Sequence, residues 1–270
     1  MSEYNLHNDS VEMITYPEDL RTKVLYAAAL WNDFCQLPLS TKQMLATNDT
    51  QSGIGYESKD KEGASTDRKE NFDFNLSGSQ ELQNKVTEIN DNTVSTFVKT
   101  IQELQSGLLP IIQQFGKDVD DELFETIAIK SADNAFFRFL HYPAGAGVGE
   151  LIAEPHVDHS GFTFHLFETT EGCEMLDQNN EWRPLPVNHD QLAAFGGMQT
   201  QLVTEGKIKG LSHRVRANET SSTEGRFAIV CFVALKGIKK YNKKSYGRLQ
   251  EMEPGFNYHM QRDEFEKLFQ

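Results

Sequence analysis

From about residue 126 the chain breaks into short apolar runs closed off by turn residues, and this pattern constrains the fold more than any other feature. Phe136, Phe137, Phe139 and Leu140 precede Tyr142-Pro143. Further runs cover 162–167, 173–176, 182–185, 192–195, 211–215 and 227–235. Gly145, Gly147, Gly149, Gly161, Gly172, the Asn179-Asn180 pair, Gly196-Gly197 and Gly206 punctuate them. Short strands at this spacing predict a sandwich, a barrel or a jelly roll.

The preceding part reads as helical. Leu20, Val24, Ala27, Ala28, Trp31 and Phe34 recur on one helical face, and Pro38 marks the end of that helix. Leu82, Val86, Ile89, Phe97, Ile101, Leu104, Leu108 and Ile112 form a second, longer stripe, which Pro110 should kink or break near its end. A sheet this large needs covering, so the stripe is read as core rather than as a groove for a partner helix. The polar stretch at about 47–79, with Gly53, Gly55, Gly63 and Gly78, reads as a long, lid-like functional loop. The expected organisation is a helical region over 1–125, a strand-rich core over 126–235 and a C-terminal extension over 236–270.

Charge narrows the function. The chain's 270 residues carry a net charge of −14, which argues against a nucleic-acid or membrane-surface partner. The basic stretch from Lys236 to Arg248 reads as a solvated loop. No window is long and apolar enough for a transmembrane helix, and Met1-Ser2-Glu3-Tyr4-Asn5 lacks the character of a signal peptide. Cys35, Cys173 and Cys231 form no CxxC pair and read as buried, reduced thiols. The expected location is cytoplasmic.

The segment from Glu154 to Gly161 carries the chemistry. His156 and Asp158 are two apart, so on a strand or at a strand end they share a face. His213, in a later strand-like segment, is the candidate third ligand. Two imidazoles and one carboxylate on one face of an octahedron suit a non-haem Fe(II) centre with positions left open. A lone His-x-Asp is a weak signal. His7, His141, His159, His165, His189 and His259 read as surface or core histidines. Arg226 opens the apolar run Arg226–Phe232. It reads either as the exposed start of a strand or as a buried guanidinium that needs a carboxylate partner.

In order and spacing, several segments resemble the isopenicillin-N-synthase-like branch of the Fe(II)/2-oxoglutarate-dependent dioxygenases. They are Leu37-Pro38 with Lys42, Gly55-Tyr56, Asp67–Phe72, Arg138–Pro143, His156–Gly172, Asp177–Pro186 and Thr204–Lys207 followed by Ser212–Val215. The resemblance implies a mainly β fold, a double-stranded β-helix (jelly roll) backed by N-terminal helices. It implies His156, Asp158 and His213 as catalytic iron ligands, with Arg226 and Tyr142 binding 2-oxoglutarate. It also implies O2 as a substrate and oxidation, usually hydroxylation, of a small-molecule metabolite. Ala228 departs from the family's usual Arg-x-Ser pattern and removes one hydrogen bond to the cosubstrate. Arg138 shares a strand face with Tyr142, so it suits either a carboxylate-bearing substrate or a structural ion pair. Phe232 and Tyr56 are the other pocket candidates. The competing readings are a 2-oxoglutarate-independent Fe(II) oxidase of the same fold and a non-catalytic jelly-roll binding protein.

Overall fold

In a computed structural model describing residues 11–46, 54–59, 68–119, 135–177, 179–185, 187–204 and 208–235, the short apolar runs pair into two antiparallel sheets. The larger contains β1 (Glu12–Thr15), β2 (Gly55–Ser58), β3 (Glu70–Phe74), β4 (Ala135–Tyr142), β6 (Phe162–Glu168), β9 (Gln191–Gly196) and β11 (Arg226–Val233). Its order is β1-β9-β6-β11-β4-β3-β2. The smaller contains β5 (Leu151–His156), β7 (Cys173–Leu176), β8 (Trp182–Pro184) and β10 (His213–Arg216), in the order β5-β10-β7-β8. This is the jelly-roll architecture.

Alternation along the central strands gives the large sheet two different faces. Phe137, Phe139, Phe162, Phe164, Ile229 and Cys231 point outward, into the main hydrophobic core. They are covered by α1 (Glu18–Cys35) and α4 (Asn92–Val119). Trp31 stacks on Phe97 at 5.6 Å between ring centroids, and Phe97 meets the edge of Phe139 at 5.2 Å. The indole Nε1 of Trp31 donates to the Leu140 carbonyl at 3.0 Å, tying α1 to β4. Phe97 is fully buried at the centre of this aromatic cluster. Phe97→Ala should therefore cost about 3–5 kcal/mol in urea unfolding. A loss below about 1 kcal/mol would show that the helices do not dock as described.

Three expectations change. The described residues of the polar stretch at 47–79 include β2 and β3, which extend the large sheet beyond β4. Asn71 and Asp73 are polar because they face the interior between the sheets, while Phe72 and Phe74 enter the core. Mixed composition there reflects a two-faced strand, and the boundary near 125 does not divide the sheet from the helices. The second helical stripe breaks at Asn90, which takes φ 51°, separating α3 (Ser79–Ile89) from α4. Pro110, by contrast, lies inside α4 on its exposed side. Its missing amide hydrogen removes the bond to the carbonyl of Ser106, four residues back and likewise exposed. The Lys236–Arg248 stretch, the 236–270 extension and Glu205–Lys207 lie outside the described residues. Cys35, Cys173 and Cys231 are all free and buried.

Candidate metal centre

The smaller sheet brings the first two donors together. His156 ends β5, His213 begins β10, and the two are directly opposite in the register. Their ring centroids are 4.4 Å apart. Asp158 lies two residues beyond the end of β5, where the chain turns back toward β6. Its Oδ1 is 3.8 Å from His156 Nε2 and its Oδ2 is 3.7 Å from His213 Nε2. One donor atom from each residue lies within 4.8 Å of the other two.

Each donor is aimed by a second contact. His156 Nδ1 meets the Glu154 carbonyl at 2.7 Å and His213 Nδ1 meets the Leu211 carbonyl at 3.1 Å. A carbonyl only accepts, so both rings carry hydrogen on Nδ1 and turn Nε2 to the centre. The Thr163 hydroxyl donates to Asp158 Oδ2 at 2.6 Å, steering the carboxylate. Nearly half of the His156 side chain is exposed, yet its inner end is desolvated and faces His213. Together these push its pKa down to about 4, so it is neutral and able to ligate at pH 7. Burial alone would raise the Asp158 carboxyl, but His213, His156 and the Thr163 hydroxyl hold it below the usual range. Two imidazoles and an anionic carboxylate fit a divalent first-row metal.

The start of α5 (Met198–Val203) clamps the Asp158 turn. The Gly197, Met198 and Gln199 amides donate to the carbonyls of Gly161, Asp158 and Ser160 at 2.7, 2.8 and 3.1 Å. A Cβ at Gly197 would lie 2.3 Å from the Ser160 carbonyl oxygen and 2.9 Å from that of Asp158. Gly197→Ala must therefore displace the turn that carries a ligand. We expect Fe(II) affinity to fall about 10–100-fold in a metal titration, the scale of a disturbed supporting shell. Unchanged affinity would show that the turn absorbs the methyl group.

The inner face of the large sheet supplies the rest of the site. Arg226 on β11 is opposite Tyr142 on β4, with its guanidinium 5.8 Å from the phenol ring. It is only 1% exposed, which removes the exposed-start reading. Burial disfavours its charge, but the Glu168 carboxylate beside it outweighs that and keeps it protonated. Nη2 donates to Glu168 Oε2, while Nε is buried with no hydrogen-bond partner. Arg138 resolves to an ion pair. Its Nε and Nη2 each donate to Asp73 at 2.8 Å. Phe136 and Phe232 flank that guanidinium at 5.7 and 5.8 Å.

Tyr56 is not in this pocket. It is buried on the helix side of the sheet, where its hydroxyl donates to Glu70 Oε2 at 2.7 Å. Lys42 Nζ donates to the same oxygen at 2.7 Å, and His141 Nδ1 contacts Oε1 at 2.8 Å. Burial would raise the Glu70 carboxyl, but His141, Lys42 and Tyr56 hold it down at about 2. Cys35, Glu70 and His141 form a second three-donor group. The Lys42 ammonium already supplies its positive charge, so this is a structural network.

His165, read from the sequence as a surface or core histidine, and Glu168, which that reading did not name, both face the interior near Arg226. His165 is buried, its Nε2 has no hydrogen-bond partner, and desolvation pushes its pKa down to about 3. The available signal was the alternation Phe162-Thr163-Phe164-His165-Leu166, which sets polar side chains on one face of an apolar strand.

The fold and these donors together define a jelly-roll protein with a facial His–Asp–His centre between its sheets. Residues 134–234 match the profile of the 2OG-Fe(II) oxygenase superfamily. Among curated proteins, gibberellin 2-beta-dioxygenase 2 of Arabidopsis thaliana is 24% identical over 135 residues, 48% of this chain and 39% of that protein. Gibberellin 2-beta-dioxygenase 3 of the same plant is 23% identical over 133 residues, with the same coverage. The matched region thus spans about two fifths of these relatives' length. The fold is also that of full-length Neurospora crassa T7H in complex with alpha-KG, with a TM-score of 0.66 and 16% identity. That match covers 83% of this chain and 75% of the other. The 2-oxoglutarate complex of the Arabidopsis thaliana dioxygenase for auxin oxidation 1 gives a TM-score of 0.64 and 15% identity, covering 87% and 86%.

Proposed function

We propose that this chain is an Fe(II)- and 2-oxoglutarate-dependent dioxygenase that oxidises, most simply by hydroxylation, a small-molecule metabolite. The observation that carries this is the convergence of His156, Asp158 and His213, with both imidazoles already oriented by backbone carbonyls. Bound Fe(II) supplies O2-activating redox chemistry, with 2-oxoglutarate as the reductant that is decarboxylated to succinate and CO2. His156, Asp158 and His213 would hold that metal, and three protein ligands would leave coordination positions for 2-oxoglutarate and O2. Arg226 is the seat for the distal carboxylate of 2-oxoglutarate, with the Tyr142 ring beside it. Its buried, unpartnered Nε fits an incoming anion.

The substrate side is walled by Phe136, Phe232 and the Arg138–Asp73 pair. Asp73 already occupies the Arg138 fork, so net negative charge is not the recognised feature. The substrate class we infer is a small molecule with an apolar body and a hydrogen-bond acceptor, of which a carboxylate is one form. The related proteins are named for gibberellin and auxin, small organic molecules of this general kind. The Glu168 carboxylate on Arg226 favours one second reading, an oxidase of the same fold that draws all its electrons from substrate.

Succinate release from 2-oxoglutarate by the Fe(II)-loaded protein, measured across a panel of small metabolites, tests the proposal. Succinate whose yield rises with one substrate class supports it. Oxygen uptake with that substrate but without 2-oxoglutarate would establish the oxidase instead.

A further inference from the structure

Strand β6 contains an irregularity beside Arg226. Its register against β11 runs Glu168 with Ala228 and Phe167 with Ile229, then jumps so that His165 pairs with Val230. Leu166 is the extra residue. On a regular strand, residues three apart point to opposite faces. The bulge re-phases the strand, and His165 and Glu168 both turn inward, with Nε2 and Oε2 3.7 Å apart. Glu168 is thereby placed on the guanidinium of Arg226, in a site where both side chains are almost wholly buried. Directly across from it, Ala228 offers only a methyl group and so leaves the carboxylate room.

We infer that Glu168 is a resident carboxylate occupying the guanidinium that 2-oxoglutarate must engage, and that it sets this chain's cosubstrate affinity and its preference among 2-oxo acids. The inference rests on the reading of Arg226 given above. Two carboxylates on one buried guanidinium repel each other. A 2-oxo acid with a distal carboxylate must displace Glu168 or bind beside its charge at the unpartnered Nε, whereas one without it binds at the metal and leaves the pair intact. Glu168 does not touch the reacting atoms in this account. It acts through Arg226 and is a specificity-determining residue.

The test is binding of 2-oxoglutarate and of pyruvate, which lacks the distal carboxylate, to the anaerobic Fe(II)-loaded protein. Binding is read from the visible charge-transfer absorption of the chelated 2-oxo acid and, independently, from calorimetry. Glu168→Gln keeps the side chain's shape and removes its charge. The Kd for 2-oxoglutarate should fall about tenfold, the weight of one charge-assisted hydrogen bond. The Kd for pyruvate should not move. Glu168→Asp, shorter by one methylene, should lower the 2-oxoglutarate Kd by less and leave the pyruvate Kd unmoved, and it carries the test if the Gln variant does not fold. An unchanged or weakened 2-oxoglutarate affinity would overturn the inference, as would equal tightening of both ligands. If iron binds but neither 2-oxo acid gives a band in either protein, the cosubstrate reading of Arg226 fails, and this inference fails with it.

Discussion

Asp158→Ala should abolish substrate-coupled turnover, a fall on the order of 10^3 or more, while leaving the protein folded. The carboxylate is the only anionic donor of the triad and lies between the two imidazoles, 3.8 and 3.7 Å from their Nε2 atoms. Without it, two histidines remain, and a divalent metal loses its anionic partner as well as a ligand. The fold should survive because Asp158 sits in a turn beyond β5. Its main side-chain tie is the 2.6 Å bond from Thr163, worth about 1 kcal/mol. Fe(II) titration, unfolding and turnover on one preparation separate these effects. Full activity in the variant would remove Asp158 from the ligand set.

Arg226→Leu should be destabilising as well as inactivating. Removing the guanidinium leaves Glu168 buried without the cation that offsets its desolvation. Breaking a buried pair from one side costs about 3–5 kcal/mol. The same reasoning predicts that Arg226→Leu/Glu168→Leu recovers most of that loss, because replacing both partners removes the orphaned charge. Unfolding by urea of the wild type, both single variants and the double variant measures this directly. An Arg226→Leu protein within about 1 kcal/mol of wild type would show that the pair is not buried as described.

How far the sequence reaches can be seen residue by residue. The strands β4, β6, β7, β8, β9, β10 and β11 announce themselves as short apolar runs, with glycine or asparagine marking most of the turns, whereas β5 was readable only as a strand or strand end at His156. The triad is readable because its chemistry needs specific residue types, although only the fold brings His213 opposite His156. β2 and β3 were hidden by their inner-facing polar residues. Asn71 and Asp73 look like loop residues until the interior they face is known to be a polar site. Pro110 misled because the side of a helix on which a proline falls depends on what that helix packs against. Tyr56 illustrates the limit of motif order. Its neighbours matched, but strand phase sends its ring to the helix side. Glu168 could not be read from spacing, since strict alternation from Thr163 and His165 puts it on the wrong face. Only the bulge at Leu166 turns it toward Arg226.

The central claim is that His156, Asp158 and His213 form an Fe(II) centre that chelates 2-oxoglutarate. Its most direct test is an anaerobic titration of the Fe(II)-loaded protein with 2-oxoglutarate, following the visible charge-transfer band. The account predicts a band that saturates at one equivalent and is absent from Asp158→Ala. Bound iron with no band at any concentration of 2-oxoglutarate would contradict it.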